Sequence, residues 1–283
     1  MNSQLDWNFE KKILADLFPD ARIEVAPAPT ALDKIDGRGV LWQAARNRFL
    51  LEVPEVARFM VEGGSRITID AAPESAVEDI RRFLRMTPLA ALCFQRGIPA
   101  FHAAAISIAD QDECVLLAGD SGAGKSVLLT GLLKRGARLL ADELSIVHED
   151  VSGRLTVIPT FPEVILWPDG AKKSGFPFPG EKGPRTVDYA SQMAAGPLTL
   201  KSIYHLSVST RDQIEFSEVA ALERVPSLGR LTYNSHIAEE LFDRLAYFSM
   251  ITRLAQAVPI YRLRRPKGRW CVEELVDRVI GNI

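Results

Sequence analysis

The chain has 283 residues, 47% hydrophobic and 25% charged, with a formal net charge of −2. That length supplies one large core or two modest ones, and the balanced charge excludes a broad basic surface for nucleic acid or an anionic membrane. Cys93, Cys114 and Cys271 are odd in number, far apart and free of C-x-x-C spacing, which excludes a disulfide framework or zinc ribbon and fits a reducing cytoplasm.

The opening residues lack a basic segment followed by an apolar stretch, so no signal peptide is expected. No run of about 18 apolar residues occurs, so no membrane span is expected either. Apolar spacing predicts a helix over Leu5 to Phe18. Strands are expected at Gly39 to Trp42, Phe49 to Val53, Ala57 to Val61 and Arg66 to Ile69. Glu62-Gly63-Gly64-Ser65 reads as a hairpin turn. Helices follow over Ala76 to Arg85 and Pro88 to Arg96, stopped by Gly97. This opening stretch, 1–97, reads as a small mixed α/β domain.

From residue 98 a second domain is expected to run to 283. Phe101 to Ile108 and Cys114 to Ala118 read as strands, Gly124 to Lys134 as a helix closed by Gly136, and Ala137 to Ala141 as a strand. Further strands are expected at Ser145 to His148, Leu155 to Pro159, Val164 to Trp167 and Ser202 to Val208. Asp169 to Pro184, dense in Gly, Pro and Lys, reads as a loop and a candidate lid. Helical patterns at His236 to Gln256 and Val272 to Ile280 close the chain. The basic run Tyr261 to Arg269 alternates like an edge strand with one solvated face.

Gly119-Asp120-Ser121-Gly122-Ala123-Gly124-Lys125-Ser126 matches G-x-x-x-x-G-K-[ST] in full. Glycines let successive backbone N–H groups turn inward around a phosphate, where a Cβ would obstruct. Lys125 supplies a positive charge for the β- and γ-phosphates. The Ser126 hydroxyl suits Mg²⁺, and the helix that follows directs its positive end at the anion. An apolar strand leads in and a helix-forming run leads out, which is the context the motif requires. After that helix, Ala137 to Ala141 delivers Asp142-Glu143, in position to return beside the P-loop strand with the carboxylates near the phosphates. A carboxylate there can hold Mg²⁺ or accept a proton from an attacking hydroxyl. The four histidines show no metal-ligand spacing, and Ser121 does not sit in G-x-S-x-G, so zinc-enzyme and hydrolase readings lack support.

These residues, with Lys134-Arg135-Gly136-Ala137-Arg138-Leu139-Leu140-Ala141-Asp142-Glu143 downstream and Phe101-His102-Ala103-Ala104-Ala105 upstream, resemble the catalytic domain of the bacterial HPr serine kinase/phosphorylase family and its shorter kinase-like relatives. The correspondence covers about Gly97 to Val147. It implies an α/β P-loop kinase core, of the HPr kinase and phosphoenolpyruvate carboxykinase type. ATP and Mg²⁺ would be used, with Ser126, Asp142 and Glu143 at the metal. Lys125 would grip the transferred phosphate, Asp142 or Glu143 would take the proton from a substrate serine, and His102 would add a polar contact. Homo-oligomers are common in the family. Glu143 stands where the family commonly has Asp, and no RGLG-type signature follows, so phosphorylase activity and a carrier-protein substrate are not implied. The stretch from Ile158 to Asp169 looks like the shorter relatives, some of which occur with lasso-peptide and other peptide natural-product pathways. The implied acceptor is a serine or threonine of a peptide or small protein. A small-molecule kinase of the phosphoenolpyruvate carboxykinase-like type and a nucleotide-gated peptide-binding module are the alternatives. Glu163, Lys182 and Arg185 are lesser candidates near the site.

Overall fold

The computed structural model describes residues 7–107, 112–120, 122–176, 185–269 and 271–282. The first elements are α1 (Asn8–Leu17), β1 (Arg22–Val25), β2 (Gly37–Arg38), β3 (Trp42–Ala45), β4 (Arg48–Val53), β5 (Ala57–Glu62), β6 (Arg66–Ala71), α2 (Val77–Leu84) and α3 (Thr87–Gln95). Their strands form one sheet in the order β1-β6-β5-β4-β3-β2, antiparallel except for the parallel β1–β6 pair. Gly63 and Gly64 both have positive φ at the β5–β6 turn, as a tight hairpin requires. The strand expected over Gly39 to Trp42 is displaced. Residues 39–41 form the turn between β2 and β3, because the Gly39 N–H donates to the Trp42 carbonyl at 2.9 Å.

Continuing along the chain are β7 (Ala100–Phe101), β8 (Ala103–Ser107), β9 (Glu113–Gly119), α4 (Lys125–Lys134), β10 (Arg138–Ala141), β11 (Ser145–Glu149), β12 (Leu155–Val157) and β13 (Glu163–Leu166). Then come α5 (Pro168–Lys173), β14 (Arg185–Asp188), β15 (Leu198–Ser209), β16 (Glu215–Glu218), α6 (Ala221–Leu231), α7 (Ser235–Leu241), α8 (Arg244–Ala257), β17 (Ile260–Pro266) and α9 (Val272–Ile280). The expected loop from Asp169 begins instead as α5, with Pro168 at its first turn, where a missing N–H costs nothing. Residues 177–184, which carry the rest of that loop and Lys182, lie outside the described residues.

Two more expectations change, and one helix appears where none was expected. The helix expected over His236 to Gln256 breaks at Phe242, which is extended, and Asp243 restarts it by accepting the Ala246 N–H at 2.9 Å, the usual role of an N-cap carboxylate. Tyr261 to Pro266 is no edge: β17 pairs with β15 on one side and β16 on the other. Helix α6 carried no sequence expectation, since Pro226 sits inside it and reads as a breaker. Burial of Leu228 and Leu231 outweighs the local cost there.

The chain divides into two compact units: Met1–Ala100 with Thr232–Met250, and Phe101–Leu231 with Ile251–Ile283. The sequence predicts two consecutive pieces, 1–97 and 98–283, whereas residues 232–250 belong to the first compact unit. In the second unit the sheet runs β10-β8-β9-β15-β12-β11, and β17 lies beside the C-terminal half of β15. Helix α4 is buried on nearly every side: Leu128, Leu129, Leu132 and Leu133 pack with Val115 and Leu117 of β9 and Val276 and Val279 of α9. Each such leucine contributes roughly 1.5–3 kcal/mol by leaving water. Gly131 lets α9 approach, because a Cβ there would lie 2.9 Å from the Val276 Cγ2. This packing anchors the helix whose first residue is Lys125. Among the described residues, no helix is long and apolar enough to cross a membrane.

Candidate functional site

Strand β9 ends at Gly119, which pairs with Leu206 of the parallel neighbour β15. The chain then turns sharply, with positive φ at Gly119, Gly122 and Gly124, and enters α4 at Lys125. L-side chains resist that backbone region, which is why glycine occupies those positions. At Gly122 a Cβ would meet nothing within 4 Å, so the requirement there is conformational and the space beside it is open. Among the described residues no side chain caps the N-terminus of α4; its first N–H groups are the kind that receive an anion.

Lys125 is only 6% exposed. Its Nζ donates to the Gly119 carbonyl at 2.7 Å and lies 3.5 Å from the Asp120 carbonyl. Burial depresses its pKa, and the charges of Glu143, Asp142 and Asp120 partly restore it. The turn is also gripped by a side chain that borders the cleft. Arg265, the penultimate residue of β17, donates from Nε to the Ala123 carbonyl at 2.8 Å and from Nη2 to the Gly122 carbonyl at 2.9 Å. With those two carbonyls engaged, the amides of the turn remain for an anion. Ser121 lies outside the described residues.

The acid pair reaches this neighbourhood by a different route from the one expected. Strand β10 does not lie beside β9; β8 stands between them. Both pairings are antiparallel, so β10 and β9 point the same way and Asp142-Glu143 still emerge at the end that carries the glycine-rich turn. Glu143 has φ +66, and the Leu144 N–H donates to the Asp142 carbonyl at 2.8 Å. This is a three-residue γ-turn around a non-glycine residue, a strained arrangement of the kind that clusters at functional sites.

The turn separates the two carboxylates. Asp142 Oδ2 accepts the Ile165 N–H at 3.0 Å, while its Oδ1 is buried without a hydrogen-bond partner among the described residues. Burial, then the charge of Glu143, raises the Asp142 pKa to about 7, against the opposing Ile165 and Glu143 N–H groups and Lys125. Glu143 stands 3.4 Å from the His102 Nε2 through its Oε2. His102 links β7 to β8, anchored by its N–H on the Leu231 carbonyl at 3.0 Å. Burial and Lys125 lower its pKa, with Glu143 and Asp120 opposing, so the neutral ring is favoured.

A cleft of about 500 Å³ brings these groups together, within the range of small-molecule sites. His102, Asp120, Gly122, Gly124, Lys125, Ser126 and Glu143 line it; Gly119, Ala123 and Asp142 do not. Ala123 contributes through its carbonyl to Arg265, and Asp142 is half-buried beside Glu143, held by the Ile165 N–H. A hollow of about 570 Å³ beneath Phe216 and Arg278 is larger but contains no residue of the glycine-rich turn. Size alone therefore does not mark the site. Glu163 opens β13 opposite Asp188, and Arg185 pairs with Leu166 at the other end of that ladder; neither lines the cleft.

Several lining residues were not singled out as site residues by the sequence: Trp167, Arg265, Arg269, Cys271, Val272, and Lys173, which fell within the candidate lid. Arg265 was visible only as part of a basic run, and its contact depends on β17 settling beside β15. Nothing in its local sequence distinguishes it from Arg262 or Arg264, which pair with Glu223 and Glu215.

As to a metal, no group of three or more His, Cys, Asp or Glu side chains is placed to hold one among the described residues. Mg²⁺ at a triphosphate needs less, one or two protein oxygens with the phosphates supplying others. The buried, unpartnered Asp142 Oδ1 and the Ser126 hydroxyl fit that demand.

Fold and cleft together define a mixed α/β protein of several sheets, with a strand, glycine-rich turn and helix at one end of the larger sheet. No family profile matches the chain, and no curated protein matches it. Among solved structures, the HPr(Ser) kinase/phosphatase of Coxiella burnetii is similar at 11% identity, over 65% of this chain and 94% of that one, with a TM-score of 0.35. A likeness that slight carries no argument about activity.

Proposed function

We propose that the chain is an ATP- and Mg²⁺-dependent kinase that phosphorylates a serine or threonine hydroxyl of a peptide or small protein. The observation that carries this reading is the single cleft that holds Lys125 and Ser126 of the glycine-rich turn together with Glu143 and His102. Binding alone needs the turn and no carboxylate beside it.

In this reading the α4 N-terminus and the amides of the turn bind the β- and γ-phosphates, and Lys125 swings from the Gly119 carbonyl to the transferred group. Ser126 and Asp142 would hold Mg²⁺, which neutralises triphosphate charge when bound. Glu143 accepts the proton as the acceptor oxygen bonds to the γ-phosphorus. The bond from that phosphorus to the bridging oxygen breaks, leaving ADP and a phosphoester. His102, held near neutrality beside Glu143, orients that carboxylate without cancelling its charge. Lys173, Arg265 and Arg269 also border the cleft, as a small anionic acceptor would want. Arg265, however, is bound to the turn's own carbonyls and serves the triphosphate site, so the peptide-hydroxyl reading is preferred.

The test incubates the purified protein with γ-labelled ATP, Mg²⁺ and a panel of peptides, proteins and metabolites, including any peptide encoded beside its gene. An Asp142→Asn/Glu143→Gln variant runs alongside. Phosphoserine or phosphothreonine on one acceptor, abolished in the variant while ATP still binds, is the expected result. Tight ATP binding with no transfer to any acceptor would reject the kinase and leave a nucleotide-gated binding module.

A further inference from the structure

The cleft is chemically two-sided. One side carries the groups for phosphate and proton transfer already described. The other is apolar, formed by Val127 in the first turn of α4, Trp167 before α5, and Val272 and Leu275 of α9. A triphosphate uses none of these. Trp167 is 65% exposed and borders the cleft, so much of its surface is open to a ligand there, and an aromatic ring offers a large flat apolar face. Its backbone is extended, φ −68 and ψ 157, and Pro168 behind it restricts that conformation, so the ring is presented from a stiff base. Gly170 one turn on leaves the floor beside Val127 open, since a Cβ there would fill the space up to van der Waals contact with the Val127 Cγ2 at 3.5 Å.

We propose that this apolar side seats the nucleobase of the triphosphate, with the Trp167 indole as its stacking platform. The inference rests on the nucleotide site proposed above and names the part of the ligand that the glycine-rich turn leaves unheld. The occupant follows from continuity. Val127 is the residue after Ser126 on one helix, so a ligand whose phosphates lie on the turn carries its remaining rings over Val127. A flat π-system fits between an indole and aliphatic side chains, and stacking is tolerant of which base is present.

The test is calorimetric titration of the full chain with Mg-ATP and with Mg-tripolyphosphate, which lacks the base and ribose. Wild-type protein is expected to bind ATP roughly tenfold or more tightly than tripolyphosphate, the size of one base–aromatic stack. Trp167→Ala is expected to lose that advantage while binding tripolyphosphate as wild type does, and Trp167→Phe to keep most of it. Equal wild-type affinity for the two ligands overturns the proposal without any variant. So does Trp167→Ala with its ATP advantage intact, or parallel loss of both ligands in Trp167→Ala and Trp167→Phe. Wild-type protein that binds neither ligand refutes the nucleotide site itself, a result separate from loss of the base seat alone.

Discussion

Arg265 shows how a single side chain can set the shape of a backbone loop. Its guanidinium offers donors in a rigid fork, and two of them end on consecutive carbonyls of the glycine-rich turn. An ammonium offers its donors from one flexible, strongly hydrated point rather than in a fixed planar fork. We therefore expect Arg265→Ala to raise the ATP dissociation constant about tenfold or more, the weight of one or two charge-assisted hydrogen bonds, and Arg265→Lys to recover little of it. Isothermal titration measures both; unchanged affinity in Arg265→Ala would show that the turn holds its shape unaided. Lys125, Ser126 and the acid pair were legible because each belongs to a short motif whose chemistry is local. Arg265 was not, since its partners lie 142 and 143 positions away along the chain. The roles of Asp142 and Glu143 could not be separated from sequence either. The γ-turn at Glu143 sends one carboxylate to the Ile165 N–H and the other toward His102, and no pattern of residue types announces that division.

At the level of elements, β9 and α4 are held by different forces, and the junction between them is where substitution is least tolerated. Gly119 ends the strand with φ +143, and a Cβ there would lie 2.3 Å from the Leu206 carbonyl oxygen, a backbone atom of β15. Neither strain nor clash can be relieved by a rotamer change. Gly119→Ala is expected to destabilise the fold by roughly 2–4 kcal/mol, read as a lower melting temperature by calorimetry. Gly122→Ala, at φ +79 with no neighbouring atom within 4 Å, should cost roughly 1–2 kcal/mol. Equal losses would mean that the approach of β15 is unimportant. Strand and helix existence was largely readable, because alternation, turn glycines and helix stops act over a few residues. Helix α6 and the break at Phe242 were not. In both places tertiary burial decides against a local signal, a proline inside a helix in one case and an unbroken helical period in the other.

For the whole molecule, the return of residues 232–250 to the first unit has an energetic consequence. Helix α3 is buried along Pro88 to Phe94, so a partner must cover it on each side. Part of that cover is α7 and its flank, where Phe242 meets Phe94 at a ring-centroid distance of 5.1 Å and Tyr247 packs tilted against Phe242 at 4.8 Å. The Tyr233 hydroxyl bonds to the Thr87 hydroxyl at 3.1 Å. A fragment ending at residue 100 is therefore expected to bind a hydrophobic dye and lack near-ultraviolet circular dichroism, as a chain without fixed packing does. In the full chain, Phe242→Ala should cost about 3–5 kcal/mol. A fragment that unfolds cooperatively without the dye would show that α7 is dispensable.

The sequence by itself determined the glycine-rich turn, the strand and helix that bear it, the arrival of an acid pair one helix and one strand later, and the mixed α/β character. These rest on backbone conformation, periodicity and turn chemistry, which act between near neighbours. Tertiary structure alone decided that β8 separates β10 from β9, that β17 is flanked on both sides and delivers Arg265, that Trp167 and α9 wall the cleft, and that 232–250 packs with the first unit. Each of those depends on which distant segments share one sheet or one core, and that choice is made by the summed burial of many side chains, which no local stretch of residues encodes.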